Sequence, residues 1–129
     1  MHIHHLALRV RDFEKSLHFY QTLTELKIHT QFSANGGSIA YLQNVSGETQ
    51  LELIGMPEGE TVKVSGMFLC FGTEDIASAH ERAVLHGMNP SDIRQPEPDA
   101  RYFYVYDPDG LSVQVRESVS YTHLRAHET

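Results

Sequence analysis

The sequence predicts an α+β fold built from two βαβββ modules in one chain. Two observations carry this expectation. The order strand, helix, strand, strand, strand is legible twice between residues 3 and 117. A polar linker at 56–65 (MPEGETVKVS) separates the two copies. The length of 129 residues and an apolar content of 40% allow one sizeable core and not two ordinary domains. A single domain over 1–117 is therefore expected, with module one at 3–55 and module two at 66–117.

Module one opens with HHLALRV. Leu6, Leu8 and Val10 fall on one face of a strand, and His5, Ala7 and Arg9 on the other. The alternation runs through the early histidines, which marks them as chain residues and not the remnant of a tag. His4 lies on the face opposite His5, and His2 precedes the strand. Asp12 is a good N-cap, and Phe13, Leu17 and Tyr20 give the following helix its apolar stripe. Strands at Lys27–Ser33, Ser38–Gln43 and Thr49–Ile54 follow, divided by the turn signals Asn35-Gly36-Gly37 and Ser46-Gly47.

Module two repeats the order. A strand is expected at Gly66–Gly72 and a helix at Asp75–His86, closed by Gly87. A short run lies near Ile93, and QPEPDA reads as a solvated turn. Strands at Arg101–Tyr106 and Leu111–Arg116 are joined by Asp107-Pro108-Asp109-Gly110. His80 falls on the Ile76–Ala79–Ala83 stripe as a packing residue, and Cys70 in MFLCF reads as a buried structural thiol.

The repeat yields equivalent positions. Glu52 is the polar residue between Leu51 and Leu53, and Gln114 the one between Val113 and Val115. His5 and Glu52 are 47 residues apart (52 − 5), and the same step back from Gln114 (114 − 47) reaches Met67. Four positions result: His5, Glu52, Met67 and Gln114.

These residues, with Asp12, Phe19-Tyr20 and the Asp107–Gly110 turn, resemble the vicinal oxygen chelate superfamily, and glyoxalase I and the bleomycin-resistance proteins within it. The resemblance covers residues 3–117. It implies that the modules form a cupped mixed sheet with the helices outside, and that the four positions point into the cup to hold a divalent metal. The family pattern is His, Glu, His, Glu, with Gln allowed at one position. Here His5 and Glu52 suit Zn²⁺, Ni²⁺ or Mn²⁺, Gln114 is a neutral, weaker ligand, and the Met67 thioether suits none of them. A metal bound weakly or not at all is expected, with Glu52 as the catalytic base candidate. Leu53-Ile54-Gly55-Met56 lacks the asparagine that helps to bind glutathione in glyoxalase I, although Arg9 matches an arginine of that set.

The Asp107–Gly110 turn predicts one more feature. A type I turn with a glycine bulge sets Tyr106 opposite Ser112, Tyr104 opposite Gln114 and Tyr102 opposite Arg116. Tyr102, Tyr104, Tyr106 and Arg116 would then share the face of Gln114 and, with Arg9, contact a ligand, while Phe103, Val105, Val113 and Val115 face the helices.

The net charge of −7, with no Lys/Arg cluster, excludes a nucleic-acid footprint, and no run is apolar enough to span a membrane. One cysteine and no leader pattern suggest a reducing, cytoplasmic setting. Residues 118–129 break the pattern and read as an appended or disordered tail, so His123 and His127 carry no weight as ligands. Two functions stand side by side: a metal-assisted lyase or isomerase of glyoxalase type, other than true lactoylglutathione lyase, or a metal-free small-molecule binding protein. By analogy with the family, a homodimer is expected.

Overall fold

The computed structural model describes residues 1–118; the expectation of a tail at 118–129 falls, apart from Ser118, outside them. The element order is β1(His5–Arg9), α1(Phe13–Thr24), β2(Lys27–Ala34), β3(Gly37–Gln43), β4(Gln50–Gly55), β5(Leu69–Thr73), α2(Ile76–Leu85), β6(Arg94–Glu97), β7(Ala100–Tyr106) and β8(Ser112–Glu117). This is βαβββ twice. The described residues form two compact units, Met1–Ser65 with Asp107–Leu111, and Gly66–Tyr106 with Ser112–Ser118.

In the first unit the sheet order is β1-β4-β3-β2. β1 runs parallel to β4, and the other pairs are antiparallel. Asp12 caps α1, accepting from the Lys15 amide at 3.1 Å. The β2–β3 hairpin turns on Asn35 and Gly36, both at positive φ (50° and 79°). That backbone favours Asn-Gly and matches the twist of the flanking strands. Helix α1 covers one face, where Leu8, Val10, Leu17, Tyr20, Leu23, Ala40, Leu42, Leu51 and Leu53 are buried. It comes so close that a Cβ on Gly55 would meet Phe13 Cβ at 2.6 Å.

The second unit has the order β5-β8-β7-β6, with β5 parallel to β8. Helix α2 is capped by Asp75, which accepts from the Ser78 amide at 3.0 Å. It packs on β7 and β8, burying Ile76, Ala79, Ala83, Phe103, Val105, Val113 and Val115. His80 packs edge-on against Phe103, as its place on the stripe predicted.

Two expectations are corrected here. Part of QPEPDA is strand: β6 takes Gln95 to Glu97, and only Pro98 and Asp99 form the turn. Pro96 is tolerated because β6 is an edge strand. Cys70 is exposed, not buried. Leu69 takes the inward position of β5 and Cys70 the outward one, an alternation that the wholly apolar run MFLCF could not reveal.

Candidate functional site

The open face of the first unit's sheet carries two cross-strand rows. One runs Arg9, Ile54, Ile39, Phe32 from β1 to β2. Its neighbour runs Ala7, Glu52, Tyr41, Thr30. The first row is an apolar floor with a cation at one end. The second places a carboxylate beside a phenol.

Glu52 is 6% exposed and is held from two sides. His5 Nε2 lies 3.3 Å from Glu52 Oε1, and Tyr41 stands opposite Glu52 in the β3–β4 register. Hydrogen bonding to Glu52, then burial and the carboxylate's charge, raise the Tyr41 phenol above its ordinary pKa. The His5 ring also stacks edge-on against Tyr41 at 5.5 Å. His5, Glu52 and Tyr41 thus form one contact group, of which the sequence reading named two members. Tyr41 was legible in principle: Ala40 and Leu42 alternate into the core, which turns Tyr41 to the open face.

Arg9 borders an open cleft of about 570 Å³, with Asn35, Ile39, Ile54, Met56, Pro57 and Glu58 as its other walls. Its guanidinium has no hydrogen bond or ion pair among the described residues.

The corresponding face of the second unit is built on a neutral amide. Gln114, 6% exposed, donates from Nε2 to Tyr104 Oη at 2.8 Å and accepts the Cys70 thiol on Oε1 at 3.0 Å. Although Cys70 is exposed as a residue, partial desolvation of its thiol beside Gln114 raises its pKa, and nearby Arg116 acts in the opposite direction. The hairpin register is the one expected, with Tyr102 opposite Arg116, Tyr104 opposite Gln114 and Tyr106 opposite Ser112. Tyr102 and Tyr104 lie edge-on at 5.7 Å, whereas Tyr106 is 72% exposed at the end of the hairpin.

The strand registers correct the repeat arithmetic. Ala7 pairs with Glu52 and Cys70 pairs with Gln114. His5, two residues before Ala7, therefore corresponds to Phe68, two before Cys70, and not to Met67. The ring contacts agree: Phe68 lies edge-on to Tyr104 at 5.6 Å, as His5 does to Tyr41. The reason is a one-residue difference in length. Ala7 and Glu52 are 45 residues apart (52 − 7), Cys70 and Gln114 only 44 (114 − 70).

This bears on the divalent metal that the resemblance implies. Phe68 has no lone pair to give, and both ends of the Gln114 amide are engaged by Tyr104 and Cys70. His5 and Glu52 alone supply good donors, and no group of three His, Cys, Asp or Glu among the described residues is placed to hold an ion. The donor set does not fit a Zn²⁺, Ni²⁺ or Mn²⁺ site of the glyoxalase kind.

Comparison with known structures supports the fold. An antibiotic binding protein from Streptomyces sp. CB03234, TnmS3, superposes with a TM-score of 0.74 at 20% identity, covering 92% of this chain and 97% of that one. Glyoxalase I of Leishmania major gives 0.73 at 19% identity, over 99% of this chain and 93% of that one. The fosfomycin resistance protein FosX of Listeria monocytogenes, solved with Mn(II) and a dihydroxypropylphosphonic acid, gives 0.72 at 16% identity, over 95% and 97%. No curated protein matches the sequence. The family model for the glyoxalase/bleomycin resistance protein/dioxygenase superfamily matches residues 2–115. With its two βαβββ modules, the chain belongs to that superfamily.

Proposed function

We propose that this chain binds a small molecule on the open face of its first module without a metal. The observation that carries the reading is the pairing of an unpartnered Arg9 with the apolar row Ile54–Ile39 in one cleft. A ligand bearing a carboxylate, phosphonate or similar oxyanion would set that group on the guanidinium and its apolar body on the two isoleucines and Met56. Glu58 stands exposed on the same wall, where solvent screens it. Glu52, oriented by His5 and Tyr41, would accept a hydrogen bond from the ligand. The antibiotic-binding relative shares the fold.

A thermal-shift screen of small apolar carboxylates and phosphonates, run in EDTA, tests this reading. Stabilising compounds that lose their effect in Arg9→Gln support it. A screen with no compound dependent on Arg9 contradicts it.

One observation favours a second reading. A carboxylate flanked by an imidazole and a phenol can move a proton, so Glu52 would serve as the base of an isomerase or lyase acting on the same ligand class. His5 and Tyr41 would orient the carboxylate. Loss of turnover with retained binding in Glu52→Gln would separate catalysis from binding.

A further inference from the structure

The 56–65 linker runs past Arg9: the Val62 amide donates to the Arg9 carbonyl at 2.7 Å, and a Cβ on Gly59 would lie 3.5 Å from Arg9 Nη1. Beyond Val62 the linker meets the Asp107–Leu111 turn, which belongs to the same unit. There Val62, Lys63, Val64, Arg11, Asp109 and Leu111 line a cavity of about 120 Å³. The Asp109 side chain is only 2% exposed. Its Oδ1 accepts from the Arg11 amide at 3.2 Å and lies 3.3 Å from Arg11 Nε, while its Oδ2 is buried with no hydrogen-bond partner. A buried carboxylate oxygen without a donor is costly and calls for one. Lys63 has a charged head on a flexible stem and lines the same cavity.

We propose that Lys63 and Asp109 form a latch, in which the Lys63 ammonium closes onto Asp109 Oδ2 and holds the linker against Arg9. The latch positions the segment that supplies Met56, Pro57 and Glu58 to the cleft. It bears on the proposed binding function in that respect, but its test needs no ligand, so either idea can fail alone.

Limited digestion with trypsin reads the latch at the Lys63–Val64 bond. Asp109→Asn keeps an oxygen for Arg11 but removes the charge facing the cavity. Cleavage at Lys63 should then be about fivefold faster than in the parent protein at low salt, and the ratio should fall towards one in high salt. Equal cleavage rates at low salt would overturn the proposal. Should Asp109→Asn not fold, Lys63→Gln carries the test by hydrogen exchange. The Val62 amide should lose protection severalfold in Lys63→Gln, and unchanged protection would overturn the proposal.

Discussion

Tyr20→Phe removes a single oxygen from the interior and should be among the more damaging conservative changes in this chain. Tyr20 is fully buried on α1, and its hydroxyl donates to Asp107 Oδ2 at 2.7 Å. The other Asp107 oxygen accepts the amides of Asp109 and Leu111 at 2.9 and 2.8 Å, so it shapes the turn from within. Phenylalanine fills the ring's space but leaves Oδ2 without that donor. Hydrogen bonds to charged groups contribute about 1.5–3 kcal/mol, so a loss of about 2 kcal/mol is expected. At about 3–5 °C per kcal/mol for a chain of this size, Tm should fall by roughly 6–10 °C. The pH dependence adds an independent signature. Burial, and then the Asp107 charge, hold the Tyr20 phenol far above its ordinary value of 10.0. Above pH 10 the unfolded chain releases a proton that the folded chain keeps. Stability from this group is thus complete below pH 10 and falls by about 1.4 kcal/mol per pH unit above it. Tyr20→Phe lacks this slope, so its deficit should shrink between pH 10 and 11. Urea unfolding at pH 7, 10 and 11 measures both effects. A loss below about 0.5 kcal/mol, with parallel pH profiles, would refute the reasoning.

Three further outcomes follow from the same structure. Met67→His should leave Ni²⁺ affinity unchanged, whereas Phe68→His with Gln114→Glu should raise it at least tenfold by giving module two the pair that His5 and Glu52 form in module one; calorimetric titration decides between them. Glu52→Gln should retain the parent fold in a thermal melt, since Gln114 already occupies the equivalent site, while ligand affinity or turnover drops at least tenfold. Light scattering of the protein at micromolar concentration should give the mass of a homodimer, and a monomer would remove that expectation.

Much of the fold was legible because alternation and caps agreed at each step. Leu8 and Val10 against His5, Ala7 and Arg9 gave β1 its faces, and Asp12 and Asp75 marked both helix starts. The Asp107–Gly110 turn fixed the β7–β8 register to the residue, because a tight turn leaves little freedom in pairing. The site was less legible for the opposite reason. Met67 to Phe71 is apolar throughout, so nothing there distinguishes inward from outward positions, and equal spacing between modules had to be assumed. One residue fewer in module two displaced the equivalence from Phe68 to Met67. Tyr41, Ile39 and Ile54 were missed because they join Glu52 and Arg9 only through cross-strand pairing, which no local motif announces.

The most direct test of metal-free binding is calorimetry of the best compound from the thermal-shift screen, with EDTA-treated protein and again after adding Mn²⁺ or Ni²⁺. The account predicts equal affinity in both conditions and at least a tenfold loss in Arg9→Gln, as expected for removing a charge-assisted contact. Binding that appears only with the added metal, or that ignores Arg9→Gln, would contradict it.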